Sequence, residues 1–172
     1  RRLANLIRPA GYFNVKARRL RAFLRVLVED FGGDLGRLFA GPTAEVRARL
    51  LTIHGIGPET ADSLLLYAGG HLSFVVDAYT KRILYRHGWC AAAADYPGLQ
   101  ALLASALDGP RDARLLDFWQ DYHAQLVRVG HVFCRAREPD CERCPLKPLL
   151  PNRDLFSGTA SRTGVRATPE RA

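Results

Sequence analysis

The chain is a succession of apolar stripes at helical spacing cut by short polar breaks, and strand-like alternation is nearly absent. Between Ala17 and Phe31 the residues Leu20, Phe23, Leu24, Leu27, Val28 and Phe31 form one helix stripe, which Gly32-Gly33 ends. A short helix is expected from about Ala44 to Ile53. A second runs from Pro58 to Ala68 and stops at Gly69-Gly70, and a third runs from Asp77 to Arg86, closed by Gly88. Leu99–Leu107 reads as helix, and Ala113–Val129 as a longer one with Leu115, Leu116, Trp119, Tyr122, His123 and Leu126 inward. Leu72–Val76 has β-propensity but no second run to pair with, so it reads as a buried extended connector. The fold class is therefore all-α. Residues Asn152–Ala172, poor in large apolar side chains, are expected to be disordered.

The joint between the second and third of these features has unusual chemistry. Gly55-Ile56-Gly57 breaks one helix and Pro58, a residue suited to the first helical position, starts the next. Backbone N–H groups from Gly55, Ile56, Gly57, Glu59 and Thr60 then point outward at a helix N-terminus, where free donors and the helix dipole favour an anion. Gly55 and Gly57 are expected to let the backbone turn tightly through positive φ. Further on, Asp77 stands where a helix N-cap belongs; a capping carboxylate uses one oxygen for the helix and keeps a second one.

Charge narrows the partner. The 172 residues carry a formal charge of +8, with a pI near 9.8. Arg1 to Arg25 holds eight basic residues, Lys16, Arg18 and Arg19 among them, and no acidic one. Such a stripe fits a polyanion held with salt-sensitive affinity. No apolar run is long enough to span a bilayer and no leader pattern is present, so no membrane partner is expected and the location is read as cytoplasmic. The chain has no methionine and opens on helical spacing at RRLANLIRPAG, which predicts a further segment ahead of Arg1.

Together, the Gly55–Gly57 hairpin and Val76-Asp77-Ala78-Tyr79 twenty residues beyond it resemble the helix-hairpin-helix, endonuclease III superfamily of base-excision DNA glycosylases, over roughly Leu3 to Pro151. The resemblance implies a helical glycosylase core over 1–130 with its hairpin at about 44–69, a cysteine loop over 131–151 and a loose tail over 152–172. It implies a monomer acting on double-stranded DNA, nucleoid-associated in a bacterium, that flips a damaged or mismatched base out of the stack. Asp77 takes the place of the catalytic aspartate, which stabilises positive charge on the deoxyribose and can orient an attacking water.

Several positions depart from the family pattern or extend it. Bifunctional members carry lysine where Gly57-Pro58-Glu59-Thr60-Ala61 places Glu59; a carboxylate cannot form an imine, which points to a monofunctional enzyme without lyase chemistry. If Glu59 and Asp77 face each other, one of the two carboxyls should be held up in pKa and serve as acid or base. Tyr79 and Lys81 are candidate DNA contacts, each with a plainer reading: a packing tyrosine and a surface charge. The turn Gly11-Tyr12-Phe13-Asn14 is expected to pack, and the pocket and wedge residues are expected ahead of Arg1. Cys134, Cys141 and Cys144 follow the spacing of the family's [4Fe–4S] loop, but Leu150 occupies the fourth position. A cluster with a substitute ligand, a zinc site completed by His131, and no metal all remain open. A non-catalytic DNA-binding module or degenerate paralogue is the competing function.

Overall fold

A computed structural model describes residues 2–109 and 113–151, and among them every regular element is helical. The expected tail at Asn152–Ala172 lies outside the described residues. A short helix α1 (Arg2–Leu6) and a 3₁₀ turn (Arg8–Ala10) lead into α2 (Phe13–Phe31), which Gly32 closes in the left-handed region at φ 63°. Helix α3 (Leu35–Phe39), absent from the sequence reading, is capped by the Asp34 carboxylate on the N–H groups of Gly36 and Arg37. Helices α4 (Thr43–Leu51) and α5 (Pro58–Leu64) make the hairpin pair, and α5 runs straight into a wider π-turn, Leu65–Gly69. The connector follows in extended conformation, then α6 (Ala78–Arg86), α7 (Tyr96–Ala106) and α8 (Ala113–Val132).

Two apolar cores lie back to back. Leu27, Leu38, Phe39, Val46, Leu50, Ile53, Ala61 and Leu65 form one, from α2 to α5. Leu66, Phe74, Val75, Val76, Ile83, Leu99, Leu103, Trp119 and Leu126 form the other, from the π-turn to α8. Consecutive residues Leu65 and Leu66, both with no exposed surface, face different cores, so the hairpin's second helix joins the two halves. The α8 residues Leu115, Trp119, His123 and Leu126 are buried as their spacing required.

The α2 stripe is only half covered. Leu27 is buried and Phe23 and Phe31 pack on the first core, whereas Leu20, Leu24 and Val28 stay 37%, 42% and 61% exposed. The stripe is wider than the surface that α3 and the hairpin pair offer it, so its i, i+4, i+8 row is left on the open side.

Candidate active site

The basic helix and the hairpin meet directly. A Cβ at Gly55, which has φ 88°, would come within 2.3 Å of Arg19 Cγ, so the Arg19 stem lies across the bare hairpin backbone. Only a glycine fits there, for both space and backbone angle. Gly57 differs from the expectation: its φ is −96°, an ordinary extended value, and no atom would crowd a Cβ on it. Its conformation is set by the N-cap role, in which it offers no side chain to the first α5 amides. Ile56 is half-buried and packs on the first core, its N–H spent on the Ile53 carbonyl; Glu59 and Thr60 are exposed.

Along α2, Lys16 and Arg19 share a face by helical spacing, and Tyr12 precedes them at the helix N-cap. Lys16 Nζ donates to the Ala10 carbonyl, which ties the preceding turn to the helix, while Arg18 is exposed. Tyr12 reverses the expectation that its turn packs. It is 87% exposed, with φ 47° in the left-handed region, where a bulky non-glycine residue is strained. Phe13 beside it is half-buried under the Arg8 guanidinium.

Asp77 caps α6 as its position required. Its Oδ1 accepts from the Thr80 N–H at 2.7 Å. The other oxygen, Oδ2, accepts no hydrogen bond among the described residues and lies 3.8 Å from His123 Nε2 on α8. The Asp77 charge is felt at Glu59 in the hairpin. Partial burial, and after it the Asp77 charge, push the Glu59 carboxyl above its ordinary pKa. The sequence reading named these two carboxyls as a possible pair, with one of them held up, and Glu59 is the one whose pKa is raised.

His123 was read only as an inward residue, yet its Nε2 lies 3.8 Å from Asp77 Oδ2. Its Nδ1 is 2.7 Å from Tyr67 Oη in the π-turn, and Tyr67 Oη also donates to the Gln120 carbonyl at 3.0 Å. Nε2 is buried and has no hydrogen-bond partner. No local motif announces this contact, because it needs α8 packed across the π-turn and the connector.

A second carboxylate holds the connector in place. Asp62, with no exposed surface, accepts from Arg47 Nε and Nη2 at 2.7 and 3.0 Å, from Ser73 Oγ at 2.6 Å and from Tyr96 Oη at 2.8 Å. Tyr96 Oη in turn receives the Val76 N–H at 3.4 Å, one residue before Asp77, and Gln100 Nε2 donates to the Phe74 carbonyl at 2.7 Å. Burial pushes the Asp62 carboxyl up, but the hydrogen bonds from Arg47, Ser73 and Tyr96 and the Arg47 charge outweigh it and leave the pKa below its ordinary value.

The two remaining DNA-contact candidates are both engaged within the fold. Lys81 Nζ donates to the Ala94 carbonyl at 2.9 Å. Tyr79 is half-buried against Gly130 of α8, where a Cβ would meet its own Cβ at 2.5 Å, and the Arg82 guanidinium sits 5.1 Å from its ring.

The cysteine loop gathers its three thiols without completing a cage. Cys134, Cys141 and Cys144 line one cavity of about 20 Å³ with Leu150, Arg86 and His87. Such a volume holds about one water. An apolar side chain therefore closes the wall where the fourth thiolate belongs, and a cluster does not fit these residues as they stand. His131 is exposed and packs edge-on to Tyr79 instead of lining that cavity, so it does not complete a zinc set. Both His87 nitrogens face carbonyls, those of Ile83 and Leu146. Among the described residues no group of three or more potential ligands is placed to hold a metal ion. The loop is pinned by arginines instead: Arg82 donates to the carbonyls of Cys134 and Gly130, and Arg86 to those of Arg135 and Ala136.

Comparison with known proteins agrees with this geometry. A protein of Methanocaldococcus jannaschii, whose name assigns it provisionally to the DNA repair glycosylases, is 41% identical over 148 residues, 85% of this chain and 64% of its own length. The Arabidopsis thaliana DNA glycosylase/AP lyase ROS1 is 30% identical over 156 residues, 84% of this chain and 11% of that protein. A solved structure titled as a non-covalent endonuclease III–DNA complex shares the fold with a TM-score of 0.67 at 24% identity, over 87% of this chain and 63% of that one. The chain thus spans a little under two thirds of the archaeal relative. Residues 1–107, which hold the basic helix, the hairpin and the capping aspartate, match the family of HhH-GPD superfamily base excision DNA repair proteins, and the chain belongs to that superfamily.

Proposed function

We propose that this chain is the core of a monofunctional DNA glycosylase: it releases a damaged or mismatched base from double-stranded DNA, with water as the nucleophile and Asp77 as the catalytic carboxylate. The observation that carries the reading is the division of labour within Asp77. One oxygen is spent on the Thr80 N–H, which fixes the side chain, and the other has no donor. As the base leaves, C1′ gains positive charge, and a fixed carboxylate with an uncommitted oxygen is the group that stabilises it. Water adds to C1′, the electron pair of the C1′–N bond departs with the base, and a free abasic site is left.

The remaining parts serve binding. Gly55, Gly57, Glu59 and Thr60 bring backbone amides to a phosphate, while the Ile56 N–H is already taken by the Ile53 carbonyl. Arg18 and Arg19 supply charge beside it, Lys16 firms the turn before them, and Tyr79 and Lys81 flank the catalytic helix start. Tyr12, held out of the surface at the α2 N-cap, is suited to stack on bases. Glu59 stands where a Schiff-base lysine would have to be and adds a carboxyl of raised pKa beside Asp77.

The test is chemical. On duplexes bearing uracil or thymine opposite guanine, 3-methyladenine or thymine glycol, the protein is expected to yield alkali-sensitive but uncut strands, and borohydride should trap no covalent adduct. Glu59→Lys should introduce trapping, because it adds the missing amine beside an existing carboxylate. An adduct with the unaltered chain would assign it lyase chemistry. Duplex binding with no base release from any substrate would favour a non-catalytic binding module.

A further inference from the structure

The strongest observation outside the machinery described above is the buried, unpartnered Nε2 of His123. The Tyr67 hydroxyl has a single proton, and the Gln120 carbonyl beside it can only accept. With that proton given to the Gln120 carbonyl, the short contact between Tyr67 Oη and His123 Nδ1 is an Nδ1–H donating to the hydroxyl oxygen. The tautomer follows: neutral His123 turns a bare Nε2 lone pair toward Asp77 Oδ2, 3.8 Å away. Two acceptors facing each other, one of them buried, have nothing to share until a proton arrives. A buried acceptor left without a donor is costly to keep, and such exceptions mark places where the missing partner comes during function.

Resting on the reading of Asp77 as the catalytic carboxylate, we propose that Tyr67 and His123 form a proton relay behind it. When water has added to C1′, the new hydroxyl gives its extra proton to Asp77 Oδ2. A small rotation of the carboxylate closes the remaining gap, and Nε2 takes the proton, so that Asp77 is ionised again. The resulting imidazolium is held by Asp77 on one side and by Tyr67 Oη on the other. The departing base carries the C1′–N electron pair and is neutralised by solvent, so charge and protons balance. His123 acts through Asp77 and is a positioning residue; it does not touch the sugar.

The surroundings favour a neutral resting state. Burial lowers the His123 pKa and only the Asp77 charge opposes it. The ring meets Tyr67 from the π-turn, Asp77 from the start of α6 and the uncharged edge of Phe74 from the connector. Asp121 on α8 acts on Tyr67, and Asp77 acts on Glu59 in the hairpin. No cation among these groups competes for the relay.

The test has an arm that needs no substrate. In the ¹⁵N-labelled full chain, the His123 ring nitrogens should report the Nδ1–H tautomer near neutral pH, and Asp77→Asn should move its titration to lower pH, because the one charge that raises it is gone. An Nε2–H tautomer, or a titration indifferent to Asp77→Asn, would overturn the proposal. The second arm follows single-turnover base release against pH on whichever of the four duplexes the unaltered chain processes. The rate should fall on acidification through the His123 pKa, since protonated Nε2 cannot accept. His123→Gln should lower the plateau roughly 10- to 100-fold, below the usual range of direct general-base effects because the group acts at one remove, and should erase that limb. Tyr67→Phe, which frees the tautomer but keeps the packing, should cost less, with duplex affinity unchanged in both. A His123→Gln protein with the original rate and profile would refute the relay. If the unaltered chain releases no base at all, the glycosylase reading fails, and the relay with it, whatever the tautomer.

Discussion

Asp62 and Asp77 stand at opposite ends of the same short piece of chain, both largely withdrawn from water, and the fold treats them in opposite ways. Asp62 receives four hydrogen bonds from Arg47, Ser73 and Tyr96, so both of its oxygens are saturated. Among the described residues Asp77 receives one, on Oδ1, and its Oδ2 faces a buried histidine nitrogen that has no hydrogen-bond partner. A buried carboxylate with every lone pair occupied has its charge spent on holding elements together. One left half-occupied keeps its charge available to whatever arrives. The two are also connected: through Tyr96 Oη and the Val76 N–H, the saturated carboxylate fixes the backbone next to the unsaturated one.

The comparison breaks most visibly at Asp62. Asp62→Ala removes one partner of a buried pair and leaves Arg47, whose side chain keeps 28% of its surface exposed and so recovers some hydration. The expected loss is about 3 kcal/mol, toward the low end for such pairs. That corresponds to a thermal midpoint lower by roughly 6–12 °C, which calorimetry reads directly. The sign of the pH dependence is fixed as well. The Asp62 pKa is lower in the folded chain than in the unfolded one. Its contribution is therefore complete above the unfolded value of about 3.9 and is lost as pH falls through the lower folded value. Asp62→Asn should flatten that acid limb of stability.

A smaller effect sharpens the boundary between binding and chemistry. Arg18→Gln with Arg19→Gln should flatten the dependence of log affinity on log salt by up to about 1.8, or about 0.9 for each phosphate left without its arginine. The thermal midpoint should hardly move, because Gln keeps most of the Arg19 stem over Gly55. An unchanged slope in a binding titration would place the DNA on another face.

Much of this site was legible before any coordinates. The hairpin and the capping role of Asp77 follow from local rules: a glycine pair before proline, and a carboxylate at a helix start. The partners of Asp77 were not legible in the same way. His123 looks like any inward residue of an amphipathic helix, and Tyr67 like a residue near a helix end; only the packing of α8 against a π-turn makes them neighbours. Asp62 reads as a solvent-facing acid of a short helix, because nothing local indicates that Arg47, Ser73 and Tyr96 converge on it. Tyr12 was expected to pack because aromatic residues usually do. Its exposure depends on a strained turn that sequence spacing does not reveal.

The most direct measurement of the central claim is single-turnover base release by Asp77→Asn on a lesion duplex, followed by alkali, with duplex affinity and thermal midpoint measured on the same protein. Asparagine keeps an oxygen for the Thr80 N–H, so the cap and the fold should survive, with stability changed by no more than about 0.5 kcal/mol. Release should fall at least about 10²-fold, as expected when a preorganised charge facing the reacting carbon is removed, while affinity stays within a few-fold. Unchanged release would contradict the account, and so would a loss of release matched by an equal loss of affinity or of fold, which would make Asp77 a structural residue like Asp62.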